Sequence, residues 1–124
     1  MRCPCCKKSE STTYANCCEP FHVGLRLPST ADALMRSRYA AFALENAAYL
    51  SATWHASTRP RVIEFTPGQE WLALRVIATR TTGHKATVEF VARSRIGGDT
   101  QALHETSRFA REHGQWFYVD GDVQ

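Results

Sequence analysis

"STADALMRSRYAAFALENAAYLSATW", residues 29–54, is the stretch that decides the helical half of this fold. Its apolar residues recur at the three- and four-residue spacing that places side chains on one face of an α-helix. They are Leu34, Met35, Tyr39, Phe42 and Ala43. Ser29 is a favourable N-cap residue, and Asp32 stands three positions later, where a capping box places a carboxylate. Asn46 can begin a second, shorter helix that extends to Trp54.

From Glu70 onward the apolar spacing changes from helical to alternating, which predicts strands. Four segments are rich in β-branched and aromatic residues. They read "EWLALRVIAT" (70–79), "KATVEFVARSR" (85–95), "ALHETSRFARE" (102–112) and "QWFYVD" (115–120). The pairs Gly97-Gly98 and His113-Gly114 supply the positive φ angles that tight hairpins require. Helices followed by four antiparallel strands predict an α+β domain, in which the helices cover one face of a curved four-stranded sheet.

The composition is that of an ordinary globular domain, with 44% hydrophobic and 22% charged residues in a chain of 124. The net charge is only +3 and the arginines are scattered, so nucleic-acid binding is not indicated. The sequence contains no run of about eighteen apolar residues and no apolar core of a secretory signal near its start. We therefore expect a cytoplasmic protein that does not bind the membrane.

Five cysteines fall within the first eighteen residues, and none follows. In a reducing cytosol, clustered cysteines indicate metal or redox chemistry more than disulfides. Cys3 and Cys5 flank Pro4, whose ring stiffens a tight turn, so that both sulfurs can face one centre. Cys17 and Cys18 converge on one centre if the chain turns sharply between them. Because four thiolates leave no open coordination position, these four cysteines are predicted to hold one structural zinc ion.

Two other residues keep alternative ligand sets open. Cys6 forms a C-x-x-C pair with Cys3, and His22 lies four residues beyond Cys18. Structural zinc can contribute about 10 kcal/mol or more of apparent folding free energy. We therefore expect the metal to order residues 1–24, which we call the knuckle, and we expect the domain in residues 28–124 to fold without it.

A sheet covered by helices often encloses a pocket, and several charged residues are candidates to line one. Glu89 and Glu105 could meet across the second and third strands. Arg36, Arg38 or His55 could reach them from the helices. One interpretation is a general acid/base pair of His55 and a carboxylate. Since no nucleophile or cofactor fingerprint accompanies these residues, we favour a salt-bridge network that fixes the helices on the sheet, in a protein that is not an enzyme.

Two cysteine segments, "CPC" (3–5) and "YANCC" (14–18), resemble the SEC-C motif, the small zinc-binding segment best known from the C-terminal end of the SecA translocation ATPase. Nearly the whole chain is similar to the uncharacterised bacterial YchJ family. The segments that carry this similarity are "FHVG" (21–24), "ALMRSRYAAFA" (33–43), "YLSATWH" (49–55), "STRP" (57–60), "EWLALRV" (70–76), "VEFVAR" (88–93), "LHETSRF" (103–109) and "GQWFYVDGD" (114–122). The resemblance implies a zinc-binding knuckle followed by a cone-shaped nuclear transport factor 2-like domain.

Three functions are compatible with these features. The first is a non-enzymatic interaction module whose knuckle, with Lys7 and Lys8 exposed, contacts a protein partner. The resemblance to SecA implies a partner linked to a chaperone such as SecB, to translocation or to the ribosome. The second is small-molecule binding or catalysis in the cone pocket, and the third is nucleic-acid binding, for which the modest net charge gives the least support. We expect the first function; the sequence does not determine the oligomeric state.

Overall fold

The computed structural model describes residues 1–6 and 12–124. Its helices are α1 (Glu19–His22), α2 (Ala31–Ala43) and α3 (Ala47–Ala52), and its strands are β1 (Gln69–Thr82), β2 (Lys85–Ile96), β3 (Asp99–Glu112) and β4 (Gln115–Val123). Two single turns of 3₁₀ helix, Pro4–Cys6 and Tyr14–Asn16, precede α1. This order confirms the predicted α+β class. None of the helices in the described residues is long and apolar enough to cross a membrane.

The four strands form one antiparallel sheet in the order β1-β2-β3-β4, each joined to the next by a hairpin. The β2–β3 turn has positive φ at Gly97 (58°) and Gly98 (93°), and the β3–β4 turn has positive φ at His113 (52°) and Gly114 (77°). Turns with two positive φ angles match the right-handed twist of the flanking strands. Both predicted hairpin turns are confirmed.

Register shifts interrupt the sheet at three places. They lie between Trp71 and Ala73, between Val76 and Ala78, and between Arg108 and Phe109. An extra residue in one strand bends that strand and increases its twist. Helix α2 packs against one face of this sheet and contacts β1, β2 and β4.

The main hydrophobic core lies between α2 and the sheet. Its largest members are Leu34, Met35 and Tyr39 of α2, with Val88, Phe90, Phe109 and Trp116 of the strands. Fully burying side chains of this size contributes about 1.5–3 kcal/mol each. The helical spacing in the sequence predicts the α2 members of this core, although Phe42 and Ala43 are only half-buried.

The knuckle packs onto the same core. Cys3, Cys5 and Cys18 belong to the cluster of buried residues that contains Leu34 and Tyr39. Backbone hydrogen bonds join residues 1–3 to residues 12–14, from Cys3 N to Thr12 O (3.3 Å) and from Tyr14 N to Met1 O (2.8 Å). The cysteine side chains therefore act as core residues as well as candidate ligands.

Helix α2 begins one residue later than the predicted Ser29 cap. Thr30 has extended backbone angles (φ −134°, ψ 158°), and its Oγ1 accepts a hydrogen bond from the Ala33 N–H at 3.0 Å. Asp32 forms an ion pair with Arg36 one turn later, at 3.2 Å between Oδ1 and Nε. The Ser29 assignment is wrong because the extended residue directly before the first helical turn is the one whose side chain reaches that N–H.

We predict that Thr30→Ala lowers the free energy of unfolding by about 1 kcal/mol, because it leaves the Ala33 N–H without its cap. Ser29→Ala is the matched control and should change it by less than about 0.5 kcal/mol. Urea denaturation of both variants measures the difference. Equal effects at the two positions would contradict the capping role of Thr30.

Candidate functional site

Four thiols meet in the knuckle. The Sγ atoms of Cys3, Cys5, Cys17 and Cys18 all lie within 4.8 Å of one another. The Cys5 sulfur is 3.6 Å from that of Cys3 and 3.5 Å from those of Cys17 and Cys18, and the last two are 3.9 Å apart. None of the four is in a disulfide. The structure thus brings together the four cysteines predicted as ligands, and together they could hold a metal ion.

The local backbone explains this convergence. Pro4 begins a 3₁₀ turn directly after Cys3, so the side chains of Cys3 and Cys5 fold toward one side. Cys17, with φ −124° and ψ −86°, ends the second 3₁₀ turn, and Cys18 is the N-cap residue of α1. The chain therefore turns sharply between two adjacent cysteines, as the sequence predicted.

Burial and hydrogen bonding shape the protonation of these thiols. Cys3, Cys5 and Cys18 are at most 5% exposed, whereas Cys17 is half-buried. A hydrogen bond with Cys18 lowers the pKa of Cys3, and the same hydrogen bond raises the pKa of Cys18. Buried negative charges this close repel one another, so a cation at the centre is required before all four thiols ionise.

His22 lies beside the cluster without joining it. Its Nε2 is 2.8 Å from the Ser37 carbonyl oxygen, and its Nδ1 is 2.7 Å from the Tyr14 hydroxyl. Since a carbonyl only accepts, Nε2 carries the ring proton and Nδ1 accepts from Tyr14. Both ring nitrogens are engaged, so the alternative ligand set with His22 is wrong. His22 instead ties the knuckle to α2, a role for which the sequence carries no signal.

Two further predictions for the knuckle concern side chains that the structure does not describe. The side chain of Cys6 lies outside the described atoms, and Lys7 and Lys8 lie outside the described residues. The alternative ligand set with Cys6 therefore stays a prediction, and so does the exposure of the two lysines.

A second candidate site is a cavity of about 220 Å³ between α2 and the sheet. Its walls are mainly aromatic, and they include Phe42, Trp54, Trp71, Phe90, Phe109 and Tyr118. Two of the predicted pocket residues, Arg38 and Glu105, line this cavity. The structure therefore places one cation and one carboxylate among its walls.

Glu89 and Glu105 do not meet across the sheet, and this prediction is wrong. Glu89 pairs with Thr106, whereas Glu105 pairs with Phe90, so the two carboxylates lie on opposite faces. On the outer face, Glu89 Oε2 is 2.7 Å from His104 Nε2. The sequence could not fix this outcome, because the strand register depends on where the hairpin closes.

The predicted salt bridges from Arg36 and Arg38 to carboxylates of the sheet do not form, and this prediction is wrong. Arg36 pairs with Asp32 of its own helix instead of a sheet carboxylate. His55 Nε2 is 2.7 Å from Glu112 Oε2 at the exposed end of β3, so His55 does not line the cavity. Arg38 forms no ion pair within residues 1–6 and 12–124. The proposed acid/base pair of His55 with Glu89 or Glu105 is therefore wrong in its geometry.

Arg38 is a buried cation, only 5% exposed. Its Nη1 donates to the Leu50 carbonyl oxygen (2.9 Å) and to Thr53 Oγ1 (2.7 Å). The guanidinium lies 4.8 Å from the centre of the Trp54 ring and 4.6 Å from that of Tyr118. Burial lowers the pKa of Arg38 to about 10. The sequence does not reveal these aromatic partners, because they come from segments far apart in the chain.

Short helices on one face of a four-stranded antiparallel meander, preceded by a four-cysteine cluster, define a class of small α+β proteins with a candidate metal site at the N-terminus. Within this class, the chain belongs to the YchJ family. The family model described as "YchJ, middle NTF2-like domain" matches residues 30–121. This match confirms the family and the nuclear transport factor 2-like fold that the sequence motifs indicate.

Relatives and solved structures agree with this assignment. A UPF0225 protein of Methylibium petroleiphilum is 52% identical over 126 residues, which cover 99% of this chain and 89% of the relative. The solution structure of a SEC-C motif containing protein from Rhodopseudomonas palustris has a TM-score of 0.85 at 34% identity, covering 100% of this chain and 99% of its own. The crystal structure of a SEC-C motif containing protein from Psychrobacter arcticus has a TM-score of 0.79 at 27% identity, covering 98% and 82%.

The tyrosines beside the cavity generate a pH prediction. Burial raises the pKa of Tyr39 and Tyr118 to about 12, from the ordinary value of 10.0. Their contribution to stability is full below pH 10 and is lost as the pH rises to about 12, because only the unfolded chain releases these protons in that range. In a pH titration followed by ultraviolet absorbance, we expect tyrosinate to appear at a higher pH in the native protein than in the guanidinium-unfolded protein. Coincident titration curves would contradict this burial.

Proposed function

We propose that one zinc ion binds the four thiols and that the knuckle, ordered by this ion, binds a protein partner without catalysing a reaction. The sulfur positions support the first part. Sulfurs about 2.3 Å from a zinc ion in a tetrahedron are about 3.8 Å apart, and four of the sulfur pairs here are 3.5–3.9 Å apart. A small inward or outward movement of each side chain accommodates the ion.

The donor chemistry supports zinc in a structural role. Four thiolates in a tetrahedron favour zinc or iron over harder cations such as magnesium and calcium. A set made only of protein thiolates leaves no coordination position for water or substrate. Three of the four sulfurs are also buried in the core, which leaves little access for a reactant. We therefore assign the ion the task of fixing the chain between Cys3 and Cys18.

The observation that carries the interaction proposal is the apolar surface at the exit of the knuckle. Val23 is 61% exposed, Leu25 80% and Leu27 58%. Isolated exposed apolar residues are normal, but three exposed within five consecutive residues are a local concentration of apolar surface, and larger apolar surfaces of this kind mark contact sites. We call these three side chains the exit patch.

The exit patch is held by the knuckle. The N–H groups of Leu25 and Arg26 both donate to the Pro20 carbonyl oxygen, at 2.9 and 3.1 Å. Pro20 belongs to α1, which begins directly after Cys18. Loss of the metal is therefore expected to disturb α1 and, through it, the exit patch.

The cysteine segments resemble the SEC-C motif of SecA, and this resemblance suggests which partners to test. It suggests a chaperone of the SecB type or the ribosome as the protein partner, and the cytoplasm as the location. An apolar patch next to Arg26 suits a partner surface with apolar and acidic side chains.

We predict one zinc per chain in the purified protein, measured by elemental mass spectrometry. Cys17→Ser should reduce the zinc content to near zero, because it removes one of the four ligands. Cys17 is the ligand chosen because it is only half-buried, so its replacement disturbs the core least. Cys6→Ser is the matched control and should retain the metal. Zinc kept by Cys17→Ser or lost by Cys6→Ser would contradict this ligand set, and a metal-free wild-type protein would refute the zinc proposal.

We further predict that the metal-loaded protein binds purified SecB or ribosomes, measured by co-sedimentation and by surface-immobilised titration. Leu25→Asp should weaken this binding at least about tenfold, because it places a charge in the exit patch. Val62→Asp is the control, since Val62 is 68% exposed in the connection before β1. Chelation of the metal should have the same effect as Leu25→Asp. Binding that survives both treatments would contradict a role for the knuckle.

A further inference from the structure

We propose that the cavity between α2 and the sheet binds a small aromatic carboxylate that also carries a hydrogen-bond donor. This site is distinct from the four-thiol cluster, and the inference does not depend on the zinc proposal.

Arg38 selects for the carboxylate. It is a buried cation, and the side-chain hydrogen bonds that it forms within residues 1–6 and 12–124 use only Nη1. No carboxylate of these residues pairs with it. Buried charges normally have an opposite charge or several hydrogen bonds. A carboxylate that accepts from the planar guanidinium would supply both.

The aromatic walls select for a flat, apolar body. Phe42, Trp71, Phe90 and Phe109 line the cavity, and the Arg38 guanidinium lies against the rings of both Trp54 and Tyr118, which also contact each other edge to face. The volume of about 220 Å³ exceeds the roughly 150 Å³ of an engineered cavity that holds benzene. A molecule of about ten non-hydrogen atoms, such as a benzene ring with two small substituents, therefore fits the cavity.

Glu105 selects for the donor. Its Oε2 accepts a hydrogen bond from Ser107 Oγ at 2.7 Å, and both residues line the cavity. A side chain at Gly121 would collide with this carboxylate, so the glycine provides the space that Glu105 occupies. Glu105 and Arg38 form no ion pair with each other. A simple anion would be repelled by Glu105, whereas a ligand that also offers an O–H or N–H group would satisfy both charges.

Two buried polar groups of the cavity residues add to this argument. The Tyr39 hydroxyl and the Trp54 indole N–H are buried and have no hydrogen-bond partner among the described residues. Buried donors without acceptors are unfavourable and uncommon in folded proteins. An oxygen-rich ligand supplies the kind of acceptor that these donors lack.

The test uses the full chain and two probes, 3-hydroxybenzoate and 4-hydroxybenzoate, each compared with its neutral amide. Binding is followed by the NMR shifts of the tryptophan indole N–H groups. Trp54 and Trp71 line the cavity, whereas Trp116 is buried outside it and serves as the internal control. We expect saturable shifts at Trp54 and Trp71 only, and affinities for the amides at least about tenfold weaker.

Variants separate the two charges. In the wild-type protein, a hydroxybenzoate should bind more tightly than plain benzoate. Glu105→Gln should abolish this difference in affinity, because the neutral glutamine side chain no longer repels the benzoate carboxylate. Glu89→Gln, on the outer face of the same sheet, should leave all affinities unchanged. Arg38→Lys should weaken carboxylate binding about tenfold or more; if that variant does not fold, the comparison of acids with amides in the wild-type protein decides the same point. The proposal is overturned if neither acid shifts Trp54 and Trp71 up to its solubility limit, or if acids and amides bind equally.

Discussion

The structure depends on the burial of α2, which has neighbours on several sides. Eight of its thirteen residues are buried, including the polar residues Ser37 and Arg38. A buried polar group has to find a hydrogen-bond partner inside the protein. The Ser37 carbonyl oxygen accepts from His22 of the knuckle, its hydroxyl donates to the Leu34 carbonyl oxygen, and Arg38 donates to α3 and Thr53. The polar contacts of one helix therefore connect the knuckle with α3, while its apolar side chains pack against the sheet.

This arrangement packs the cysteine cluster directly against the domain in residues 28–124. Cys3, Cys5 and Cys18 pack in the same core as Leu34, and the only half-buried member is Cys17. The charge of four thiolates would be unfavourable in such a place without a cation, since a low-dielectric interior penalises uncompensated charge. A metal ion held by these four thiols would therefore be bound by side chains that also pack in the core.

The cavity on the sheet side of α2 presents a different situation. Its walls are mainly aromatic, and two of the side chains among them, Arg38 and Glu105, form no ion pair with each other. Cation–π contacts with Trp54 and Tyr118 stabilise the guanidinium, yet they supply no hydrogen-bond acceptor. The cysteine cluster and the cavity therefore both adjoin α2, but their walls differ in chemistry, with thiols in the first and aromatic rings with two charged side chains in the second.

The sequence by itself determined the class of the fold, the four strands with their hairpin turns, the apolar face of α2, the Asn46 cap of α3 and the cysteine pairs that meet in the knuckle. These features follow from local spacing and from the backbone preferences of Gly, Pro and Asn, which a sequence displays directly. Only the tertiary structure decided that Glu89 and Glu105 lie on opposite faces, that His22 binds Tyr14 and Ser37, and that Arg38 contacts the rings of Trp54 and Tyr118. Each of these outcomes depends on strand register or on contacts between distant segments, and such contacts are set by the packing of the whole core.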